Sequence, residues 1–307
     1  MKKGLYNIQV LSCFFYCFCL LLFFLSCEEE IQLELNDPEN QRIVVEGRIT
    51  NETRPQQIRI TRTISYFQNE LAPAVTDAEV FIVEAGTGEQ FPLFLSNDSL
   101  GIYETQMIAG RFGETYILRI NDNEETYEAE AFLDTVPVID SLTFEYQFLS
   151  YFGFSFGIYV LKISAYEPPP EGQYYRFDIY INDTLYTDDL AEPAYMSDFQ
   201  MNDMYLADLE IYSIPQERIK LDTNSIRIEM FSISEEELEF IGEFLTESYG
   251  SGSIFSGPPA NIQSNIMNTS GGLDGLGFFA ASGKNSIEAT LYKAHNDSTN
   301  NPYIEVD

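Results

Sequence analysis

The chain is poor in the side chains that many enzymes use for catalysis. Its 307 residues include no tryptophan, a single histidine (His295), and four cysteines, all within the first 27 positions. A Ser-His-Asp mechanism needs a histidine base within the fold, and a zinc site needs several His or Cys ligands. His295 lies in a polar stretch near the C-terminus, and no Walker loop, Gly-x-Ser-x-Gly elbow or His-Glu-x-x-His helix is present. We therefore predict a protein that is not an enzyme and uses no cofactor.

Positive charge is equally scarce. The chain has 16 Lys and Arg against 49 Asp and Glu, a formal net charge of −33. Phosphate binding needs clustered Lys and Arg, so nucleic acid is excluded as a partner. The acidic runs are short, as at residues 28–30 and 235–237, which is typical of a solvated surface. Binding of cationic ligands or divalent ions stays open as an alternative.

The N-terminal segment has the pattern of a bacterial lipoprotein signal peptide. Lys2 and Lys3 precede an almost uncharged stretch at residues 5–25, and Ser26 stands directly before Cys27. An uncleaved membrane anchor is the alternative, because about 20 apolar residues can span a bilayer. The Ser-Cys junction and the acidic residues that follow favour cleavage. We predict a signal peptide at 1–26, lipidation of Cys27 and an acidic tether at 27–40.

Short alternating segments then predict an immunoglobulin-like antiparallel sandwich over residues 41–135. Turn-forming Asn, Asp, Gly and Pro separate the segments. Residues 113–118 fit either a tyrosine corner or an ordinary core tyrosine at Tyr116. Strands are predicted at 42–47, 57–62, 78–84, 90–95, 101–105, 115–120 and 125–132.

Pro137 marks a connection to a second β-rich domain, predicted over residues 138–294 and followed by a polar tail at 295–307. One helix is expected at about 234–248, with Ser234 as N-cap and Glu237 placed for a capping box. We expect its apolar face to pack on the second sheet. Strands are predicted at 141–148, 157–166, 174–182, 225–232, 278–282 and 286–293. The fold class is therefore mainly β.

These residues resemble a family of Bacteroidota surface lipoproteins of unknown function. The resemblance rests on Cys27 and on the segments 44–47, 61–63, 113–118, 139–141, 172–176, 258–262 and 277–279. It implies an N-terminal immunoglobulin-like domain, a second β-rich domain and a place on the outer face of the outer membrane. It also implies an association with TonB-dependent β-barrel receptors. None of the segments is a catalytic signature.

Two features are candidates for a ligand site. Residues 146–159 hold seven Phe or Tyr, too many to alternate cleanly, so the rings are either core residues or an exposed aromatic platform. Residues 250–277 form loops rich in Gly, Ser and Asn with apolar anchors. The candidate ligand-binding residues are Tyr151, Phe152, Phe154, Phe156, Tyr159, Phe255, Asn261 and Asn265.

No metal site is predicted. The loops 121–125 and 222–224 carry oxygen ligands that suit calcium, but neither matches an EF-hand and ordinary turns explain both. Five Asp-Ser or Asp-Thr sequences resemble the O-glycosylation signal of exported Bacteroidota proteins. Their acceptors are Ser99, Thr135, Ser141, Thr184 and Ser298.

The sequence thus predicts a non-enzymatic, surface-exposed outer-membrane lipoprotein that serves as a binding or accessory subunit of a TonB-dependent uptake system. A structural or adhesive surface lipoprotein is the alternative. A hydrolase that works through paired carboxylates is a third, because 49 acidic residues always include some pairs at suitable spacing.

Overall fold

The computed structural model describes residues 41–64, 71–97, 100–151, 153–187, 194–198, 200–250, 262–296 and 302–303. Cys27, the predicted signal peptide and the predicted acidic tether lie outside these residues. The described part is mainly β with one α-helix, α1 (Glu235–Gly250), and a short 3-10 helix (Gln216–Arg218). The predicted fold class is confirmed.

The strands follow closely on one another. They are β1 (Ile43–Thr50), β2 (Arg54–Arg62), β3 (Glu79–Glu84), β4 (Gln90–Leu95), β5 (Ile102–Ile108), β6 (Thr115–Asp122), β7 (Glu125–Phe132), β8 (Ile139–Tyr151), β9 (Phe154–Glu167), β10 (Tyr174–Ile181), β11 (Thr184–Leu185), β12 (Ala194–Ser197), β13 (Met204–Pro215), β14 (Thr223–Ile233), β15 (Met267–Asn268), β16 (Leu276–Ser282), β17 (Lys284–Tyr292), β18 (His295–Asn296) and β19 (Pro302–Tyr303).

A nine-stranded, sandwich-like sheet surrounds the first hydrophobic core. Its strand order is β15-β7-β6-β3-β4-β5-β2-β1-β16. Alternation along β1 places Ile43 and Val45 in this core, while Glu46 and Arg48 lie on the opposite face. Burying each large aliphatic side chain contributes about 1.5–3 kcal/mol, so the alternating pattern fixes which face of each strand points inward.

Tyr116 forms a tyrosine corner at the start of β6. Its ring is buried in the first core, and its hydroxyl accepts a hydrogen bond from the Arg111 backbone N–H at 2.8 Å. The same hydroxyl lies 3.2 Å from Glu84 Oε1, to which it donates. Burial raises the pKa of Tyr116, and the nearby Glu84 carboxylate adds to the rise. Of the two interpretations of this segment, the corner is the correct one.

The last strand of the nine-stranded sheet comes from far along the chain. β16 pairs in parallel with β1, with Val44 opposite Leu276 and Arg48 opposite Ala280. Gly277 has φ +90° and passes so close to β1 that a Cβ there would collide with the Val45 carbonyl oxygen. Glycine is therefore required at this position. β15 and β16 thus join the sheet built by residues 43–132.

A second hydrophobic core is formed by residues between Ile139 and Ala294. One side is the sheet β11-β10-β14-β17, in which β12 also pairs with β10, and the other is the sheet β13-β9-β8. Tyr159, Tyr175 and Phe177 are fully buried there. The predicted division at residues 135 and 138, like the other predicted domain boundaries, stays a prediction.

The helix begins as the sequence predicts, with the Ser234 hydroxyl accepting a hydrogen bond from the Glu237 N–H at 3.1 Å. Its contacts differ from the expectation. Phe240 packs on Phe278 of β16 with ring centroids 5.2 Å apart, so the helix lies against the outer face of the nine-stranded sheet at its β16 edge. The prediction that its apolar face packs on the second sheet is wrong. No helix among the described residues is long and apolar enough to cross a membrane.

Candidate functional site

A large, mostly apolar pocket lies between α1 and the parallel strand pair β1–β16. It has a volume of about 700 Å³ and is lined by residues that project from the outer face of the sheet and from the facing side of the helix. Most of the lining is apolar: Val44, Phe240, Ile241, Phe244, Ile262, Leu276, Phe278 and Ala280. We refer to this space as the helix pocket.

One end of the helix pocket is charged. Arg48 of β1 binds the Glu237 carboxylate through both terminal nitrogens, one of them at 3.1 Å, and also donates to the Ser282 hydroxyl. The Glu237 side chain is 5% exposed and the Arg48 side chain 18%. Glu237 is the third residue of α1, the position from which a capping-box carboxylate reaches back to the N-cap residue. In this protein its carboxylate binds the Arg48 guanidinium on the sheet.

Arg176 of β10 brings the second core to the same end of the pocket. Its Nη1 lies 3.8 Å from Glu237 Oε1, and its Nη2 donates to Asp178 at 3.2 Å. Its Nε lies 3.1 Å from Asp178 Oδ1 but is too poorly aligned for a hydrogen bond. Burial opposes the charge on Arg176, but Asp178 and Glu237 outweigh it and raise the pKa of the guanidinium.

A phenylalanine ring lies beneath these cations. The centroid of Phe231 is 5.5 Å from the Arg48 guanidinium carbon, 4.9 Å from that of Arg176 and 5.6 Å from the Lys284 ammonium. Such cation–π contacts favour a fixed arrangement of the charged groups. Lys284 in turn bridges Glu52 and Glu229, at 2.9 and 3.1 Å. The charged end is therefore a network of side chains from strands of both the nine-stranded sheet and the β11-β10-β14-β17 sheet.

The arrangement suits binding more than acid–base chemistry. Both carboxylate oxygens of Glu237 are bound by Arg48, and the guanidinium of Arg176 lies 3.8 Å away. The positive charges at this end are balanced by carboxylates, so the pocket offers an apolar wall and a preorganised, nearly neutral polar end. A ligand that fits has an apolar body and a few hydrogen-bonding groups.

The residues of the predicted aromatic platform divide into two groups. Phe154 is 77% exposed and Phe156 48%, whereas Tyr159 is buried and its hydroxyl accepts a hydrogen bond from the Ala294 N–H at 2.6 Å. Tyr151 ends β8, opposite Phe154 of β9. Phe152 lies outside the described residues. The binding role of all five stays a prediction.

The predicted loop residues lie apart from the aromatic run. Asn265 binds both backbone groups of Phe279, donating to its carbonyl oxygen at 2.7 Å and accepting from its N–H at 3.0 Å. Its amide thus takes the place of a neighbouring strand along β16, and the residue also lines a smaller pocket of about 360 Å³. Phe255 and Asn261 lie outside the described residues.

The loop carboxylates that could suit calcium make bonds within the protein. Asp122 pairs with Arg62 and accepts from the Asn123 amide at 3.0 Å, and Glu125 accepts from the Tyr127 hydroxyl at 2.6 Å. Within the described part of the chain, no group of three or more His, Cys, Asp or Glu is arranged to hold a metal ion.

The predicted modification sites that the structure describes lie at or near the surface. Thr135 and Thr184 are exposed and Ser141 is half-buried. Ser99, Ser298 and Cys27 lie outside the described residues. Glycosylation of the five acceptors stays a prediction.

The sequence analysis did not identify Arg48, Arg176 and Glu237 as site residues. A usable signal was present, since Arg48 and Arg176 both interrupt strongly apolar strands in a chain with few cations. Such residues have to find a carboxylate when the strand faces another element. The sequence does not indicate which of its 49 acidic residues that is.

Comparison with models of protein families identifies a family for this chain. The model of a family described as a domain of unknown function (DUF4249) matches residues 28–288. No curated protein matches the chain. The family match covers most of the sequence, including every residue of the helix pocket, and its description names no activity.

Proposed function

The chain belongs to the DUF4249 family, and we propose that it is a non-enzymatic, surface-exposed lipoprotein that binds an apolar ligand in the helix pocket. In this proposal it acts as a binding or accessory subunit of a TonB-dependent uptake system in the outer membrane of a Bacteroidota cell. The helix pocket is the observation that carries the binding part of the proposal.

The size and lining of the pocket support binding of a small molecule or of an apolar peptide side chain. Ligand sites of proteins have volumes of roughly 300–1,000 Å³, mostly apolar walls and a few fixed polar groups. The helix pocket has this composition, with Phe240, Ile241 and Phe244 on one wall and the Arg48–Glu237 pair at one end. An ion pair whose partners already satisfy each other favours a neutral ligand over a free ion.

The N-terminal segment, residues 1–40, supports the proposed location. This segment has the form of an export signal with a lipidation site, because it contains Lys2 and Lys3, an apolar stretch and the Ser26-Cys27 junction. Several acyl chains on Cys27 would anchor the protein firmly, since one chain alone gives only reversible attachment. The glutamates at 28–30 resemble the acidic tether of surface lipoproteins.

A pull-down from native membranes tests the partnership. The tagged chain is extracted in mild detergent, and the proteins that accompany it are identified by mass spectrometry. We expect recovery of a TonB-dependent β-barrel in a stoichiometric amount. Recovery of the lipoprotein alone would contradict the accessory role and favour the structural or adhesive alternative.

Intact-mass analysis of the same material tests the anchor and the modifications. The proposal requires the mass of residues 27–307 plus acyl chains, and added hexose-type masses would indicate glycosylation of one or more predicted acceptors. A mass equal to the full 307 residues would contradict cleavage before Cys27. A mass without acyl chains would contradict lipidation whatever the result of the pull-down.

A further inference from the structure

The hairpin formed by β8 and β9 ends in a tip that is exposed on both faces. Cross-strand pairing places Leu149 opposite Phe156 on one face and Phe148 opposite Gly157 on the other. Phe148 is 52% exposed, Phe154 77% and Phe156 48%. Exposure of neighbouring residues on alternate faces means that the tip projects beyond the second core.

The hairpin tip is also uncharged. Residues 146–161 contain no Asp, Glu, Lys or Arg, although the chain as a whole carries a formal charge of −33. Large apolar side chains that cluster on an exposed hairpin mark an interaction surface, because their exposure to water is unfavourable. Aromatic rings in particular favour the boundary between an apolar phase and water.

Lysine side chains lie beside this tip. A hollow of about 740 Å³ is lined by residues from the tip, among them Phe156, and by Lys220 and Lys293. Neither lysine makes an ion pair with any described residue, whereas most other cations of the fold are paired with carboxylates, as in Arg48–Glu237. Glu217 also lines the hollow, so its charged lining is net positive in a strongly acidic protein.

We propose that the β8–β9 tip inserts into an anionic lipid surface, with Lys220 and Lys293 on the headgroup phosphates. Charge complementarity favours this occupant, because two lysines that have no carboxylate partner among the described residues lie beside exposed aromatic rings, which matches the layered order of phosphates above acyl chains. The acidic remainder of the surface is repelled by the same headgroups, which turns the tip toward the membrane. The inference goes beyond the proposed function and does not rest on the helix pocket.

The absence of tryptophan makes a single-reporter experiment possible. The substitution Phe154→Trp places the only tryptophan of the chain at the tip, and Phe94→Trp places it at a 60% exposed position on β4 as the matched control. Each full-length variant is mixed with vesicles of phosphatidylcholine and phosphatidylglycerol whose acyl chains carry bromine. Bromine quenches tryptophan that reaches the acyl region.

We expect at least about twofold quenching of the Phe154→Trp variant, since interfacial side chains enter roughly 5–10 Å below the headgroups. The Phe94→Trp variant keeps its emission. The further changes Lys220→Gln and Lys293→Gln, made in the Phe154→Trp background, reduce quenching, whereas Arg54→Gln at a 51% exposed site does not.

Three results would overturn the proposal. Unquenched Phe154→Trp in bound protein would show that the tip stays in water and fits a protein partner. Equal quenching of both reporters would show non-specific adsorption. Quenching that is the same with pure phosphatidylcholine and is unaffected by the lysine changes would contradict the proposed contact between the lysines and the headgroup phosphates. Vesicle flotation measures binding separately, and unchanged far-UV circular dichroism confirms that each variant is folded.

Discussion

Removal of Arg48 should destabilise the protein far more than removal of an exposed arginine. In the folded chain, Arg48 binds both oxygens of Glu237, whose side chain is 5% exposed. The substitution Arg48→Met keeps much of the side-chain volume but leaves a buried carboxylate. Arg176, with its Nη1 3.8 Å away, compensates in part.

The expected loss follows from the cost of an unpaired buried charge. Breaking a fully buried ion pair costs about 3–5 kcal/mol. Because Arg48 is partly exposed and Arg176 remains, we expect Arg48→Met to lower the free energy of unfolding by about 2–3 kcal/mol. This corresponds to a fall in Tm of roughly 5–10 °C for a fold of this size.

The double variant Arg48→Met with Glu237→Leu separates the charge from the packing. It removes both partners, so we expect it to lose less than Arg48→Met alone, with a coupling of at least about 1.5 kcal/mol in the cycle. The control is Arg59→Met, which removes an exposed partner of Glu46 at 3.8 Å and should cost less than about 0.5 kcal/mol.

Urea unfolding followed by circular dichroism measures these three variants and the single variant Glu237→Leu, which completes the cycle. Equal small losses for Arg48→Met and Arg59→Met, together with additive effects in the cycle, would refute the reasoning. In that case the charged end of the helix pocket would be a solvated surface pair and not a fixed network.

Three further substitutions test the fold by thermal or urea unfolding. Gly277→Ala places a Cβ against the Val45 carbonyl oxygen at φ +90°, so we expect a loss of about 2–4 kcal/mol, and wild-type stability would contradict the close approach of β16. Tyr116→Phe leaves the Arg111 N–H without its acceptor and should cost about 1–2 kcal/mol. Burial raises the pKa of Glu167 in the folded protein above its value in the unfolded chain. The folded state therefore favours the protonated carboxyl, and the free energy of unfolding falls as pH rises through the folded pKa. Glu167→Gln should therefore raise Tm at pH 8 and change it little at pH 4. A larger rise in Tm at pH 4 than at pH 8 would refute this direction of the pH dependence.

Local patterns predicted most of the strands because each alternates buried and exposed residues. β4 and β7 begin and end at the predicted residues, and β6 differs only at its end. β13 was not predicted, since the register shifts twice along its pairing with β9 and Asp208 has φ 52°. Each shift reverses the face to which the following side chains point, which removes the two-residue period.

Pairing between distant segments could not be predicted. The residues 278–282 read as a strand, but nothing local indicates that β16 lies parallel to β1, more than 200 residues earlier. The helix pocket depends on this pairing, because Leu276 and Phe278 form its floor beside Val44. The exposure of Phe154 and Phe156 was one of two alternatives, because an aromatic run too dense to alternate fits either a core or an exposed surface.

Native mass spectrometry of the protein purified gently from its own membranes tests the central claim, that the helix pocket binds a ligand. The variant Ile241→Glu introduces a charge into the apolar wall, and Thr246→Glu introduces the same charge on an exposed side of the same helix. We predict that the wild type and Thr246→Glu carry an additional small-molecule mass that Ile241→Glu lacks. An identical set of masses for all three folded proteins, with or without an added molecule, would contradict the claim.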